Sequence, residues 1–367
     1  MRPTMFVALP FVALALTSTA TAQPVSSNSP DARPPVFRSP NRLAPPRAAA
    51  DMQAVLDAHA RLGARPIHVG TPNQVRAGPT PTDAVKAVMA ARGMSTAPDP
   101  SVVTRELSYG RNAWQKARIY RPAGPARGTR PLIIYYHGGG WVIADLDVYD
   151  AAPRMLAKQL GAVVVSVEYR HAPEFKFPAQ HDDAANAYRW VLSNARAWGG
   201  DVSRMAFAGE SAGGNLAIAT AIVARDARLP MPRHILSVYP IADSRTTLRS
   251  RIVNANAKPL GTPDLSWFSH YYSRRPGDPQ DPRINLVRAN LRGLPPVTIV
   301  NAEIDPLLSD GLNLTQALRR AGVPVVQRTY PGVTHEFFGM GAVVRGAMQA
   351  NNWAVSRLRP ALSRRGR

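Results

Sequence analysis

The chain of 367 residues has no cysteine. Disulfides, a thiolate nucleophile, cysteine-based metal sites and a lipidated cysteine anchor are therefore excluded, and stability must come from an ordinary core. Acidic residues are scarce: 24 Asp and Glu face 45 Lys and Arg, a formal charge of +21 that arginine supplies almost entirely. A nucleic-acid partner would call for dense basic runs interleaved with aromatics. None occurs, so no specific nucleic-acid partner is expected, and the scattered arginines read as a solvated surface. The one locally dense run, the terminal "RLRPALSRRGR", is expected to lie loose. Long apolar runs are missing too. "MFVALPFVALAL" near the start is too short to span a bilayer comfortably, and no other window reads as a membrane helix.

What is present at the start has another use. Arg2, the apolar run and Ala20-Thr21-Ala22 form the charged, apolar and small-x-small parts of a secretory signal. Cleavage is expected after Ala22, which would make the protein periplasmic or secreted, with no integral membrane segment left. Residues 23–50, rich in Pro, Ser, Ala and Arg, should form a disordered linker. Residues 51–367 read as one folded domain. Two short amphipathic helices, "DMQAVLDAHARLG" and "TPTDAVKAVMAARG", open it around a polar, proline-rich stretch.

From Val102 strands alternate with helices. "RELSYG" and "QKARIYRP" suggest a hairpin; "PLIIYY", "AVVVSVEYR", "RMAFAGE", "HILSVYP", "PPVTIVNAE" and "VPVVQRTYPG" read as buried strands with helices between. Continuous apolar strands alternating with helices imply an α/β fold, a mostly parallel sheet covered on both faces.

Gly209-Glu210-Ser211-Ala212-Gly213 has the form G-x-S-x-G between a strand and a helix, the setting of a nucleophile elbow. A hydroxyl needs a base to take its proton. His59, His68 and His181 read as surface residues before the elbow, whereas His335 follows the last strand, at the carboxyl edge where Ser211 sits. Asp305 follows the penultimate strand at the same edge and can orient the imidazole. Glu303 and Asp310 are rivals, although Asp310 better suits capping a helix that starts near Gly311. The order Ser211, Asp305, His335 is that of an α/β-hydrolase. His137-Gly138-Gly139-Gly140-Trp141 after a strand matches an oxyanion motif, with Gly138, Gly139 and Ala212 N–H groups as donors. A phosphate cradle would need a Lys-Ser/Thr pair or G-x-G-x-x-G, and neither follows. His137 is read as fixing the loop, and Trp141 as lining the acyl or alcohol pocket or packing beneath a cap. Glu210 has no role legible in the sequence.

With HGGGW, GESAGG, "VEYRHAPEFKFPAQHDD", "DPLLSDG" and "YPGVTHEFF" in this order, the chain resembles the hormone-sensitive-lipase-like esterases, bacterial family IV of the α/β-hydrolases. The resemblance runs from about Asp51 to the last helix. It implies a serine carboxylesterase for small esters, with short-to-medium acyl chains, and no metal or organic cofactor. It also implies a helical cap, here about residues 51–100 and 242–272. A homodimer is compatible with it. Amide or formamide hydrolysis on the same scaffold is the alternative reading, and a non-catalytic ligand-binding homologue a remote one. Three positions depart from the family pattern. His171 replaces an apolar residue, Glu336 replaces the glycine that commonly follows the catalytic histidine, and "DPRINLVRAN" replaces "DPR-x-SP-L". Glu336, beside His335, is expected to alter its pKa.

Overall fold

The computed structural model describes residues 46–126 and 128–364. The expected signal, most of the linker and the last three residues lie outside them. Eight strands form one sheet: β1 (Val102–Ser108), β2 (Lys116–Pro122), β3 (Arg130–Tyr136), β4 (Val163–Val167), β5 (Gly200–Glu210), β6 (His234–Val238), β7 (Val297–Ile304) and β8 (Val325–Thr334). Their order is β1-β2-β4-β3-β5-β6-β7-β8. β2 runs antiparallel to both neighbours, and every pair from β4 to β8 is parallel. This is the expected mostly parallel sheet.

Among the described residues ten α-helices accompany the strands: α1 (Ala50–Arg61), α2 (Pro72–Arg76), α3 (Pro81–Ala91), α4 (Ala151–Leu160), α5 (Ala179–Asn194), α6 (Ala212–Asp226), α7 (Arg249–Val253), α8 (Thr262–Tyr272), α9 (Leu308–Arg320) and α10 (Arg345–Leu362). The central strands are apolar on both faces because both are covered. Leu132, Ile134 and Tyr136 of β3 join the core beneath α5, α6 and α9, while Ile133 and Tyr135 join the core beneath α1, α3, α4 and α10. Each such aliphatic side chain, fully removed from water, stabilises the fold by roughly 1.5–3 kcal/mol.

Three local expectations change. The stretch between the first two expected helices holds a third, α2, whose Thr71 and Gln74 form a reciprocal cap ahead of Pro72. That proline occupies the first turn, where a missing N–H costs nothing. The carboxyl-terminal tail does not lie loose up to Leu362, because α10 buries Leu358 and Leu362. Asp310 is not the cap of a helix starting near Gly311. α9 begins at Leu308, and Asp310 is fully buried.

Asp310 Oδ1 accepts the Ala242 and Asp243 N–H groups at 3.1 and 2.9 Å, and Arg251 of α7 lies 3.2 Å away. The aspartate therefore ties the segment after β6 to the sheet edge. Burial pushes its pKa up to about 6, although Arg251 and the two N–H groups work against the rise. Asp310→Ala, studied at pH 8 where the carboxylate is charged, should lose about 3–5 kcal/mol, because it takes the carboxylate from the largely buried Arg251 and the acceptor from the Ala242 and Asp243 N–H groups. Urea unfolding of the variant beside the parent measures this.

Candidate active site

Each functional side chain is placed by a strand end. β5 ends at Glu210, α6 starts at Ala212, and Ser211 turns between them with φ 57° and ψ −118°. For a residue with a Cβ this is a strained conformation, held only where surrounding packing dictates it. The packing here is backbone against backbone. A Cβ on Gly213 would collide with the Tyr136 and His137 carbonyl oxygens, and one on Gly209 with the Gly213 carbonyl. The two glycines of the motif are steric requirements, and they press the elbow against the end of β3.

His335 follows β8, and its Nε2 lies 2.9 Å from Ser211 Oγ. Its Nδ1 lies 2.7 Å from Asp305 Oδ2. Asp305 is fully buried after β7, and its other oxygen accepts the Leu307 N–H at 2.7 Å. An imidazole that donates from Nδ1 to Asp305 leaves its Nε2 lone pair facing the Ser211 hydroxyl, the geometry needed to take that proton. The rivals go elsewhere: Glu303 Oε2 accepts the Gly332 N–H at 2.8 Å, and Asp310 serves the segment after β6. Burial works against a charged His335, but Asp305, then Glu336 and Glu210, outweigh it and raise its pKa.

The glycine loop after β3 packs on the same elbow. A Cβ on Gly138 would collide with the Tyr149 hydroxyl and sit 3.1 Å from the Glu210 carbonyl oxygen. Gly139 and Gly140 have φ of 89° and 57°, values that favour glycine. Neither the Gly138 nor the Gly139 N–H finds an acceptor among the described residues. Ala212 opens α6, where a first-turn N–H has no partner in the helix. His137 is buried and stacked on Tyr169, with Nδ1 2.9 Å from the Gly138 oxygen. It lies in the wall of the loop.

Ser211 and His335 open into a cavity of about 520 Å³. Its walls include Ile67 and Val75 from the amino-terminal segment, Ile143 after the glycine loop, and Leu260, Leu265 and Phe268 around α8. The two segments join above the sheet, where His68 Nδ1 lies 2.7 Å from Asp264 Oδ1 and Trp267 Nε1 donates to the Gly70 carbonyl at 2.8 Å.

Of the two readings of Trp141, the structure favours packing beneath the cap, and the surface reading of His181 is corrected. Trp141 does not line the cavity. It is buried beneath α8, stacked on Tyr272 at 4.3 Å, and a different tryptophan, Trp114, reaches the wall. With φ 63°, Trp141 is turned away by the backbone of its own loop. His181 is not a surface residue. It is buried 3.0 Å from both Asn215 Oδ1 and the Tyr272 hydroxyl, and burial lowers its pKa to about 4.

Sequence reasoning missed two carboxylates' surroundings. Glu210 is buried beneath the elbow and accepts hydrogen bonds from both Tyr135 and Tyr239. Burial, opposed by those two bonds, raises its pKa to about 7. Glu336 has φ 70°, which explains why glycine would suit that position. Its Oε1 accepts from Tyr149 at 2.6 Å and lies 3.8 Å from His335 Nε2. No spacing rule marks the two tyrosines of Glu210; Tyr135 on β3 and Tyr239 just after β6 meet it because both strands flank β5, which Glu210 ends.

This sheet, a strained serine on the elbow and a histidine and aspartate at the next strand ends define an α/β-hydrolase. The α/β-hydrolase-fold family model matches residues 133–339. The carboxylic ester hydrolase LipN of Mycobacterium tuberculosis is 38% identical over 255 residues, 68% of this chain and 67% of its own. An ethyl acetate hydrolase of Pseudomonas putida is 37% identical over 234 residues, 63% of this chain and 73% of its own. The solved structure of a thermostable esterase from Pseudomonas putida superimposes with a TM-score of 0.77 at 28% identity, covering 87% of this chain and 99% of that one. The chain belongs to the α/β-hydrolase family, in its hormone-sensitive-lipase-like esterase group.

Because Glu336 raises the His335 pKa, the proton that blocks the base is held to a higher pH than it would be without that carboxylate. Glu336→Gln should therefore move the acidic limb of the kcat/KM profile to lower pH. A pH–rate series on a soluble ester reads the shift, and superimposable limbs would dismiss the coupling.

Proposed function

We propose that this carboxylic ester hydrolase works as a serine esterase through an acyl-enzyme on Ser211. The 2.9 Å approach of His335 Nε2 to Ser211 Oγ, with Asp305 behind the imidazole, carries the reading. Ser211 Oγ attacks the ester carbonyl as His335 takes its proton. The C–O π pair moves onto the carbonyl oxygen, and the Gly138, Gly139 and Ala212 N–H groups stabilise that oxyanion. The tetrahedral intermediate collapses, the alkoxide leaves, and His335 returns the proton to it. Water deprotonated by His335 then attacks the acyl-enzyme, and the acid departs as Ser211 regains its proton. Asp305 holds the tautomer and stabilises the imidazolium throughout.

The substrate class is small esters with short-to-medium acyl chains. A largely apolar cavity of about 520 Å³ is in the range of small-molecule sites and suits an acyl chain rather than a polar group. Residues 51–100 and 242–272 act as the cap; the cavity walls they supply around Ile67 and Phe268 support this. Ser211→Ala should lower kcat on p-nitrophenyl esters by roughly 10³–10⁶-fold. Across acetyl to decanoyl esters kcat/KM should peak at short-to-medium length. Retention of most activity by Ser211→Ala would remove the acyl-enzyme, whereas a maximum at decanoyl would remove only the chain-length preference.

Export to the periplasm or medium belongs to the same proposal and rests on the pattern of Met1–Ala22. Amino-terminal sequencing of protein from a bacterial host's periplasm should begin at Gln23. A mature chain that starts at Met1 would sink it.

A further inference from the structure

Behind the glycine loop lies a second group of chemically active side chains that ester hydrolysis does not use. His137, Glu168 and His171 each offer one ligand atom, all within 4.8 Å of one another and all buried. His137 Nε2 and His171 Nε2 both converge on Glu168 Oε1, at 3.2 and 3.0 Å. His171 is the residue that departs from the apolar one usual in this family. Its Nε2 is buried yet has no hydrogen-bond partner in good geometry. An imidazole nitrogen brought to a carboxylate and left unsatisfied there is aimed at something between them.

The surroundings select the ligand. His137 Nδ1–H donates to the Gly138 carbonyl, which leaves Nε2 with its lone pair toward Glu168 Oε1. Two lone pairs then face each other unless a proton or a cation lies between them. The second oxygen of Glu168 accepts the Leu146 N–H at 3.2 Å, so the carboxylate is held from behind. A carbonyl holding the outer nitrogen of a histidine and an N–H holding a carboxylate are the outer contacts that orient metal ligands. The spacings of 3.0 and 3.2 Å are close to the roughly 3.3 Å between ligands of a tetrahedral zinc ion with bonds of 2.0–2.1 Å. Glu168 and His171 also line the cavity, which gives an ion an entry path and a face for a fourth ligand. Asp145 and Glu336 add negative charge toward His137; the cation facing His171, Arg76, is already paired with Glu174 at 2.6 Å.

We propose that His137, Glu168 and His171 form a three-ligand site for a divalent transition cation, zinc foremost, opening into the cavity beside the oxyanion loop. Two imidazoles and one carboxylate suit zinc and cobalt and are a poor set for magnesium or calcium, which favour all-oxygen shells. The ion would displace the proton shared by His137 and Glu168, so binding weakens as pH falls. The site is independent of the nucleophile, and its occupancy can be read without turnover.

The test uses the full chain carrying Ser211→Ala, dialysed against a chelator and then against graded Zn²⁺. One ion per chain is expected, with a rise in Tm on binding and, for Co²⁺, the intense visible bands of a four- or five-coordinate ion. His171→Leu in the same background should lose roughly 100-fold in affinity, at the upper end of what even an outer-shell loss costs, together with the Tm rise. His171→Gln serves the same purpose if the leucine variant fails to fold. No saturable binding, or binding and Co²⁺ spectra unchanged in the His171 variants, overturns the proposal and assigns any bound ion to exposed histidines.

Discussion

The contact on which the site depends is between two stretches of bare backbone. The helix start at Gly213 lies against the carbonyls that end β3, with no room for a single methyl group. That closeness forces Ser211 into its φ of 57° and lifts its hydroxyl out of the sheet. It also sets the glycine loop beside the serine, because the same β3 end continues into His137 and Gly138. Catalytic geometry here follows from steric exclusion more than from attraction. A strained serine of this kind persists because the sheet beneath it is fixed by cores on both faces.

Around this contact the molecule gathers negative charge. Asp305, Glu210 and Glu336 all act on His335, two of them with raised pKa values of their own. Such a cluster favours a histidine that gains a proton during reaction, since the imidazolium is the form the field prefers. The same field opposes loss of that proton. Glu210, without evident purpose in the sequence, forms the floor of this arrangement through two tyrosine hydroxyls.

The sheet was legible in the sequence because buried parallel strands are continuous apolar runs, as "PLIIYY" and "AVVVSV" are. Ser211, Asp305 and His335 were legible as a set because each follows a strand and all such ends share one edge. The geometry brings these three together. What was not legible depends on direction and register. Trp141 and Trp114 are equally aromatic on paper, and only the turn at φ 63° decides which of them faces the cavity. His181 looks like a polar residue on a helix, and its burial comes from Tyr272 and Asn215, both distant in sequence. Asp310 sits where a cap would be, and the partners that hold it come from the segment after β6.

The roof of the cavity is assembled from pieces far apart in the chain. His68 and Asp264, which join its two halves, are separated by 196 residues, and most of the sheet is strung between them. Contacts of such range carry the entropy of closing a long loop, and the sheet ordered between them lowers that cost. A chain that has built its sheet and its elbow, but has not yet joined those halves, already holds serine, histidine and aspartate in line. It would look native to a probe of secondary structure and would lack the roof of the cavity. The cavity roof thus hangs on a few contacts between distant segments, whereas serine, histidine and aspartate are set by the ends of neighbouring strands.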